Sequence, residues 1–303
     1  MAENWEIIGH YYIVGFLQKC LKQDNLAHAY LFYGLSNLGK TTLAEKFAAE
    51  LLQTPGLAEH SCEFYPLKSL PDKKDISIEQ VREWRRSLLL KTFSAGYKVG
   101  IIYKAEELNQ ESANALLKIV EEPAPKTVVV IITVNKQQML PTITSRCQCL
   151  KFLPVAEKDL AVGLKSQFPE AKKDDLLKIV KLSSGKPGLA LKFLTDEEFY
   201  QNHLRQAELA KGLTEVSINS KFKLINDLLD EKETARAKVK ISLKLIESLE
   251  IFFRDNWLKE NNSLGSIDNQ KFLKDFSLIN TAREQLRQNV QPKLVLESLF
   301  LNL

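Results

Sequence analysis

Residues 29–52 read AYLFYGLSNLGKTTLAEKFAAELL, and few folds accommodate such a segment. Gly34, Gly39, Lys40 and Thr41 fit the pattern G-x-x-x-x-G-K-[ST]. An apolar strand ending at Tyr33 precedes the pattern, and a helix with Leu43, Phe47, Ala48 and Leu51 on one face follows it. In such a loop the glycines let backbone N–H groups surround a phosphate, Lys40 brings a point charge, and Thr41 offers its hydroxyl to Mg²⁺. Gly34, Asn37, Gly39, Lys40, Thr41 and Thr42 are the candidate residues for binding ATP or ADP. A tight strand-to-helix turn without a ligand would show the same pattern.

The 303 residues suffice for two or three domains, each able to bury a core. Hydrophobic content of 45% and charged content of 26% are those of an ordinary soluble globular protein. A net charge of +4 permits a local basic face without arguing for nucleic acid by itself. Cys20, Cys62, Cys147 and Cys149 are too few and too irregular for a disulfide framework, so reduced thiols and a cytoplasmic location are expected. His60 and Cys62 without a second pair do not make a zinc site. No apolar run approaches the roughly 20 residues of a membrane span, and residues 1–10 lack the basic and apolar regions of a signal peptide.

Taken in order, Tyr12, Phe16, Leu17 and Leu21 predict one amphipathic helix, and residues 54–76 a loop broken by Pro55, Gly56, Pro66 and Pro71. His28, just before the first strand, suits packing or capping better than chemistry. Ser77 and Gln80 form a capping box that opens a helix to about residue 91. Arg82, Arg85 and Arg86 lie on its polar side, as a solvated face or as contacts to DNA phosphates or an acidic partner; Lys98 is a further candidate for DNA.

Residues 98–103 read as a buried strand. Residues 110–120 predict a helix with Leu116, Leu117 and Val120 inward, ended by Pro123. TVVVIIT at 127–133 predicts a central parallel strand, with Asn135 just past its end where open α/β sheets meet ligand. A last strand, 148–152, follows Ser145-Arg146-Cys147. Strands alternating with helices imply a parallel sheet with right-handed crossovers. Past Pro154 only helices are expected: short ones broken by Gly185-Lys186-Pro187-Gly188, then four or five longer ones from about residue 212.

HAYLFYG with GKTT, then SANALLKIVEEP, LPTITSRC, LSSGKPGLAL and NVQPKLVLESL, in this order, resemble the clamp-loader AAA+ proteins of bacterial DNA polymerase III. The similarity covers nearly the whole chain, and residues 114–123 with Ser145-Arg146-Cys147 are its most specific pieces. The resemblance implies an α/β AAA+ P-loop domain with a parallel sheet over 1–153, a small helical lid over 154–211, and an all-α collar for oligomerisation over 212–303. It implies gamma/tau and delta subunits as partners, and a shared task of opening a sliding clamp and placing it on primer–template DNA. Arg146 matches the arginine that reaches the ATP of the adjacent subunit, a catalytic role in trans. The other reading of Arg146 is a pair with a neighbouring carboxylate.

Two positions depart from the hydrolysing members. Where these end the strand in acids that hold Mg²⁺, this chain has Tyr103 and Lys104, so Mg²⁺ is expected to be held poorly. Glu106 and Glu107 lie beyond the strand and are not expected to substitute. Where those members carry a γ-phosphate-reading arginine at the start of the third lid helix, alignment places Gly188. The expectation is a stator that does not hydrolyse ATP. The alternatives are a gamma/tau-like ATPase, another AAA+ ATPase and, more distantly, a P-loop nucleotide kinase. Near the end, Leu294, Leu296, Leu299 and Phe300 predict an apolar helix face.

Overall fold

Strand β1 (Ala29–Tyr33) pairs on one side with β4 (Thr127–Thr133) and on the other with β5 (Gln148–Lys151), all parallel. The sheet continues from β4 to β3 (Lys98–Ile102) and ends at β2 (Phe64–Leu67), in the order β2-β3-β4-β1-β5. The computed structural model describes residues 5–54, 61–70, 73, 75–90, 96–215, 217–229, 234–262, 269–288 and 290–303. The calls on Pro55, Gly56, His60 and Pro71 lie outside them.

Every residue of β4 is buried because helices cover both faces of the sheet. Successive side chains leave a strand on opposite faces, so Tyr30 and Phe32 join one core while Ala29 and Leu31 join the other. The first core takes Leu17 from α1 (Tyr11–Lys22) and Phe47 from α2 (Lys40–Leu51). The second takes Trp84 from α3 (Ile78–Leu89) and Leu116 from α4 (Gln110–Glu121). A four-residue helix, α5 (Pro141–Thr144), leads into β5.

Several expectations need correction. Residues 54–76 contain β2, which Pro66 hid; with no N–H, proline belongs on an edge strand, and β2 pairs only with β3. Tyr12 is 85% exposed, and α1 turns Ile13 inward beside the expected Leu17. In α4 Ile119 is buried and Leu117 only partly so. Lys98 is buried, with Nζ donating to the Leu88 carbonyl at 2.9 Å, so it does not face DNA. The capping box is present: Gln80 N–H donates to Ser77 Oγ at 3.4 Å and Ser77 N–H to Gln80 Oε1 at 3.1 Å.

Beyond the sheet come α6 (Glu157–Gln167), α7 (Lys173–Ser183) and α8 (Pro187–Thr195). They are followed by α9 (Glu197–Glu215), α10 (Ile218–Leu228), α11 (Ala235–Asn262), α12 (Asn269–Arg287) and α13 (Pro292–Asn302). The chain divides into two compact units, Met1–Leu191 and Lys192–Leu303. In the second, Ile225, Leu249, Ile279, Leu296 and Phe300 share a core, and Arg283 on α12 pairs with Glu250 on α11. On α13 Leu294 is 56% exposed and Val295 takes the inward place expected of it. Helix α9 runs without a break through 211–212.

Candidate nucleotide site and arginine

The phosphate loop runs from the end of β1 into α2, and its backbone explains its glycines. Gly34 has φ +143°, and a Cβ there would lie 2.3 Å from the Phe152 carbonyl oxygen, so only glycine fits. Asn37 (φ +63°) and Gly39 (φ +88°) are left-handed, which turns the chain sharply into α2. The first N–H groups of α2, which begins at Lys40, have no intrahelical acceptor and are free to receive an anion at the loop. Thr41 and Thr42 are exposed at this same end.

Lys40 is 6% exposed, and its Nζ donates to the carbonyls of Gly34 and Leu35, each at 2.6 Å. An ammonium has three donors, so one proton remains for a phosphate after the loop has been tied closed. Burial pulls the Lys40 pKa down to about 8, opposed by the negative charge of Glu106.

His10, which the sequence did not single out as a site residue, supports the loop from behind. Its Nε2 bonds the Leu38 carbonyl at 2.8 Å, and its ring lies 4.8 Å from that of Phe152. Burial holds its pKa below the usual value, so the neutral ring donates through Nε2. His10 adopts a left-handed backbone (φ +55°), an uncommon conformation outside glycine that marked it only once the structure was known. His28 instead bonds the Val120 carbonyl at 3.0 Å.

At the two positions where an acid was sought, Tyr103 turns away and its hydroxyl donates to Glu45 Oε1 at 2.9 Å. Lys104 is 70% exposed and pairs with Glu107 at 3.1 Å. Glu106 departs from expectation. The left-handed backbone of Lys104 (φ +50°) redirects the chain, and Glu106 Oε2 accepts from Val134 N–H at 3.3 Å, at the end of β4. Its negative charge opposes the fall in the Lys40 pKa. Asn135 spends Oδ1 on capping the turn after β4, accepting from Gln137 N–H at 2.9 Å. A cleft of about 680 Å³ opens over the ends of β1, β4 and β5, lined among others by Gly34, Leu35, Asn135, Lys136 and Thr144.

Gly188, in the first turn of α8, donates its N–H to the Asn37 carbonyl at 2.8 Å. A Cβ at Gly188 would lie 3.1 Å from that oxygen, so at this position α8 meets the phosphate loop backbone to backbone. Arg146 follows α5. Its Nη1 donates to the Thr142 carbonyl at 3.0 Å and its Nη2 pairs with Glu121 Oε1 at 3.0 Å. Both side chains of the pair are about two-fifths exposed (41% and 42%). A pair so exposed contributes at most about 1 kcal/mol, so the guanidinium is held without being sequestered. The Cys147 thiol beside it is pushed up to about 12 by burial and is not a nucleophile.

A parallel sheet in this order, with a phosphate loop after β1 and helices after β5, defines a P-loop protein of the AAA+ class. Residues 9–156 match the family described as DNA polymerase III, delta subunit. The chain is 34% identical over 205 residues to DNA polymerase III subunit delta' of Pseudomonas aeruginosa, covering 62% of this chain and 60% of that one. It is 26% identical over 285 residues to subunit tau of Bacillus subtilis, covering 82% of this chain and 49% of tau. In fold it is similar to a DNA polymerase III gamma subunit-related protein from Thermotoga maritima, with a TM-score of 0.56 and 18% identity over 94% of this chain and 97% of that one. In sequence this chain is thus similar to DNA polymerase III subunits of the delta' and tau kinds, and in fold to a gamma subunit-related protein. It spans about half to three-fifths of the length of these two curated relatives.

Proposed function

We propose that the chain is a delta'-like clamp-loader subunit, a stator that does not hydrolyse ATP and lends Arg146 to the nucleotide of a neighbouring ATPase subunit. The observation that carries this reading is the Arg146 guanidinium, held half-exposed by Thr142 and Glu121 with no bond to its own phosphate loop. A planar cation presented in this way suits a γ-phosphate that develops charge as it leaves. The loss of acids at Tyr103 and Lys104 supports the other half of the reading. On it, Gly34, Asn37, Gly39, Lys40, Thr41 and Thr42 hold ATP or ADP without turning it over, and Mg²⁺ is held poorly.

The three-part division 1–153, 154–211 and 212–303 belongs to the same reading, with the last two parts sharing α9. So do a cytoplasmic location, gamma/tau and delta subunits as partners, and a sliding clamp and primer–template DNA as the objects of the assembly. One observation favours a second reading, an ATP-hydrolysing gamma/tau-like motor: Glu106 is a carboxylate held at the end of β4 by Val134 N–H. The test is a loader assembled with the motor and delta subunits. Arg146→Ala in this chain is expected to lower its ATP turnover by at least about tenfold while assembly persists. Unchanged turnover would end the arginine assignment.

A further inference from the structure

We propose that Glu121 is a positioning residue for Arg146, a role that rests on the in-trans function given to that arginine above. Glu121 is the last residue of α4, and Arg146 follows α5, so the contact joins two elements 25 positions apart in sequence. A carboxylate at the C-terminal end of a helix lies against the helix dipole, so the stability of α4 does not explain it. The partner it meets does. Glu121 Oε1 stands 3.0 Å from Nη2 as an ion pair, while the Thr142 carbonyl accepts from Nη1 at 3.0 Å.

A guanidinium has five N–H donors and one is spent on the Thr142 carbonyl, which leaves others for phosphate oxygens. Fixed at both terminal nitrogens, the planar group has a set direction before any nucleotide arrives. With the Thr142 carbonyl alone, it swings about a single hydrogen bond. Arginine recognises phosphate by geometry as well as charge, so the orientation that Glu121 supplies acts on the rate of the step rather than on nucleotide affinity. Glu122 and Lys118, the other charged groups at this helix end, are exposed.

The test is ATP turnover by the loader assembled with its motor and delta subunits, carrying Glu121→Ala, Glu121→Asp, Arg146→Ala or the double substitution. Glu121→Ala is expected to lower kcat by about threefold to fivefold with KM unchanged. Glu121→Asp restores part of the rate, and Glu121→Ala adds no further loss in the Arg146→Ala background. Thermal melting of the free subunit is expected to be unchanged in Glu121→Ala, because the pair is exposed. A rate unchanged or raised in Glu121→Ala while Arg146→Ala is impaired overturns the role of Glu121 alone. An additive loss in the double substitution also overturns it. No effect of Arg146→Ala overturns the underlying function instead.

Discussion

The N–H of Gly188 donates to the carbonyl of Asn37 at 2.8 Å, so the first turn of α8 rests on the phosphate loop itself. Helix α8 therefore presents no side chain to the loop at Gly188. Restoring one is not a matter of substitution alone. The Cβ of Gly188→Arg would lie 3.1 Å from the Asn37 oxygen, so α8 or the loop must give by a few tenths of an ångström. The variant is expected to melt several degrees lower, consistent with a loss of about 1–2 kcal/mol, and to gain no ATPase activity. Calorimetry and a phosphate-release assay check the two halves.

Gly34 is held more tightly. At φ +143° and with the Phe152 carbonyl oxygen 2.3 Å from where a Cβ would stand, Gly34→Ala combines backbone strain with a clash against backbone. A loss of at least about 2 kcal/mol is expected, seen as a lowered denaturant midpoint with or without nucleotide. A variant of wild-type stability that had merely lost nucleotide binding would show that the loop is not locked to Phe152.

Lys40 gives the site a pH dependence with a definite sign. Its pKa is drawn from 10.5 to about 8 by burial, so it is charged below about 8 and loses its charge above. Only the charged form attracts phosphate. ADP affinity is therefore expected to be level up to about pH 8 and then to fall by up to about tenfold per pH unit, the slope for one linked proton. Glu106→Gln removes the charge that opposes this shift and moves the break to lower pH. Stability runs the other way. Between about 8 and 10.5 the unfolded chain binds the proton that folded Lys40 has released, so this group's contribution rises with pH. Titration calorimetry across the range reads the affinity, and a break at unaltered pH in Glu106→Gln would contradict the assignment. On the proposed function, in which the neighbour's nucleotide drives clamp loading, Lys40→Ala is expected to affect loading only mildly.

Much of this was legible because it is local. Seven β-branched residues in a row at 127–133 leave little but a central strand, and Ser77 with Gln80 announces the start of α3 through bonds that span three residues. Strand β2 was not legible, because Pro66 and the breakers around it read as loop when its pairing depends on Val99 and Ile101 far along the chain. The candidate site divides in the same way. The glycines and Lys40 follow from a contiguous pattern, whereas Glu106 returns to the site only through the left-handed turn at Lys104, and Glu121 finds Arg146 only once α4 and α5 have packed. His10 escaped notice because its use is a bond to a carbonyl 28 positions away.

The division of labour between an idle loop and an exported arginine is tested most directly by single-turnover ATP hydrolysis with the purified subunit, in Mg²⁺ and at saturating nucleotide. With Tyr103 bonded to Glu45 and Lys104 turned to Glu107, the account predicts ATP that is bound and recovered intact. Conversion to ADP within seconds, abolished by Glu106→Gln, would contradict it and make Glu106 the acid of a working motor.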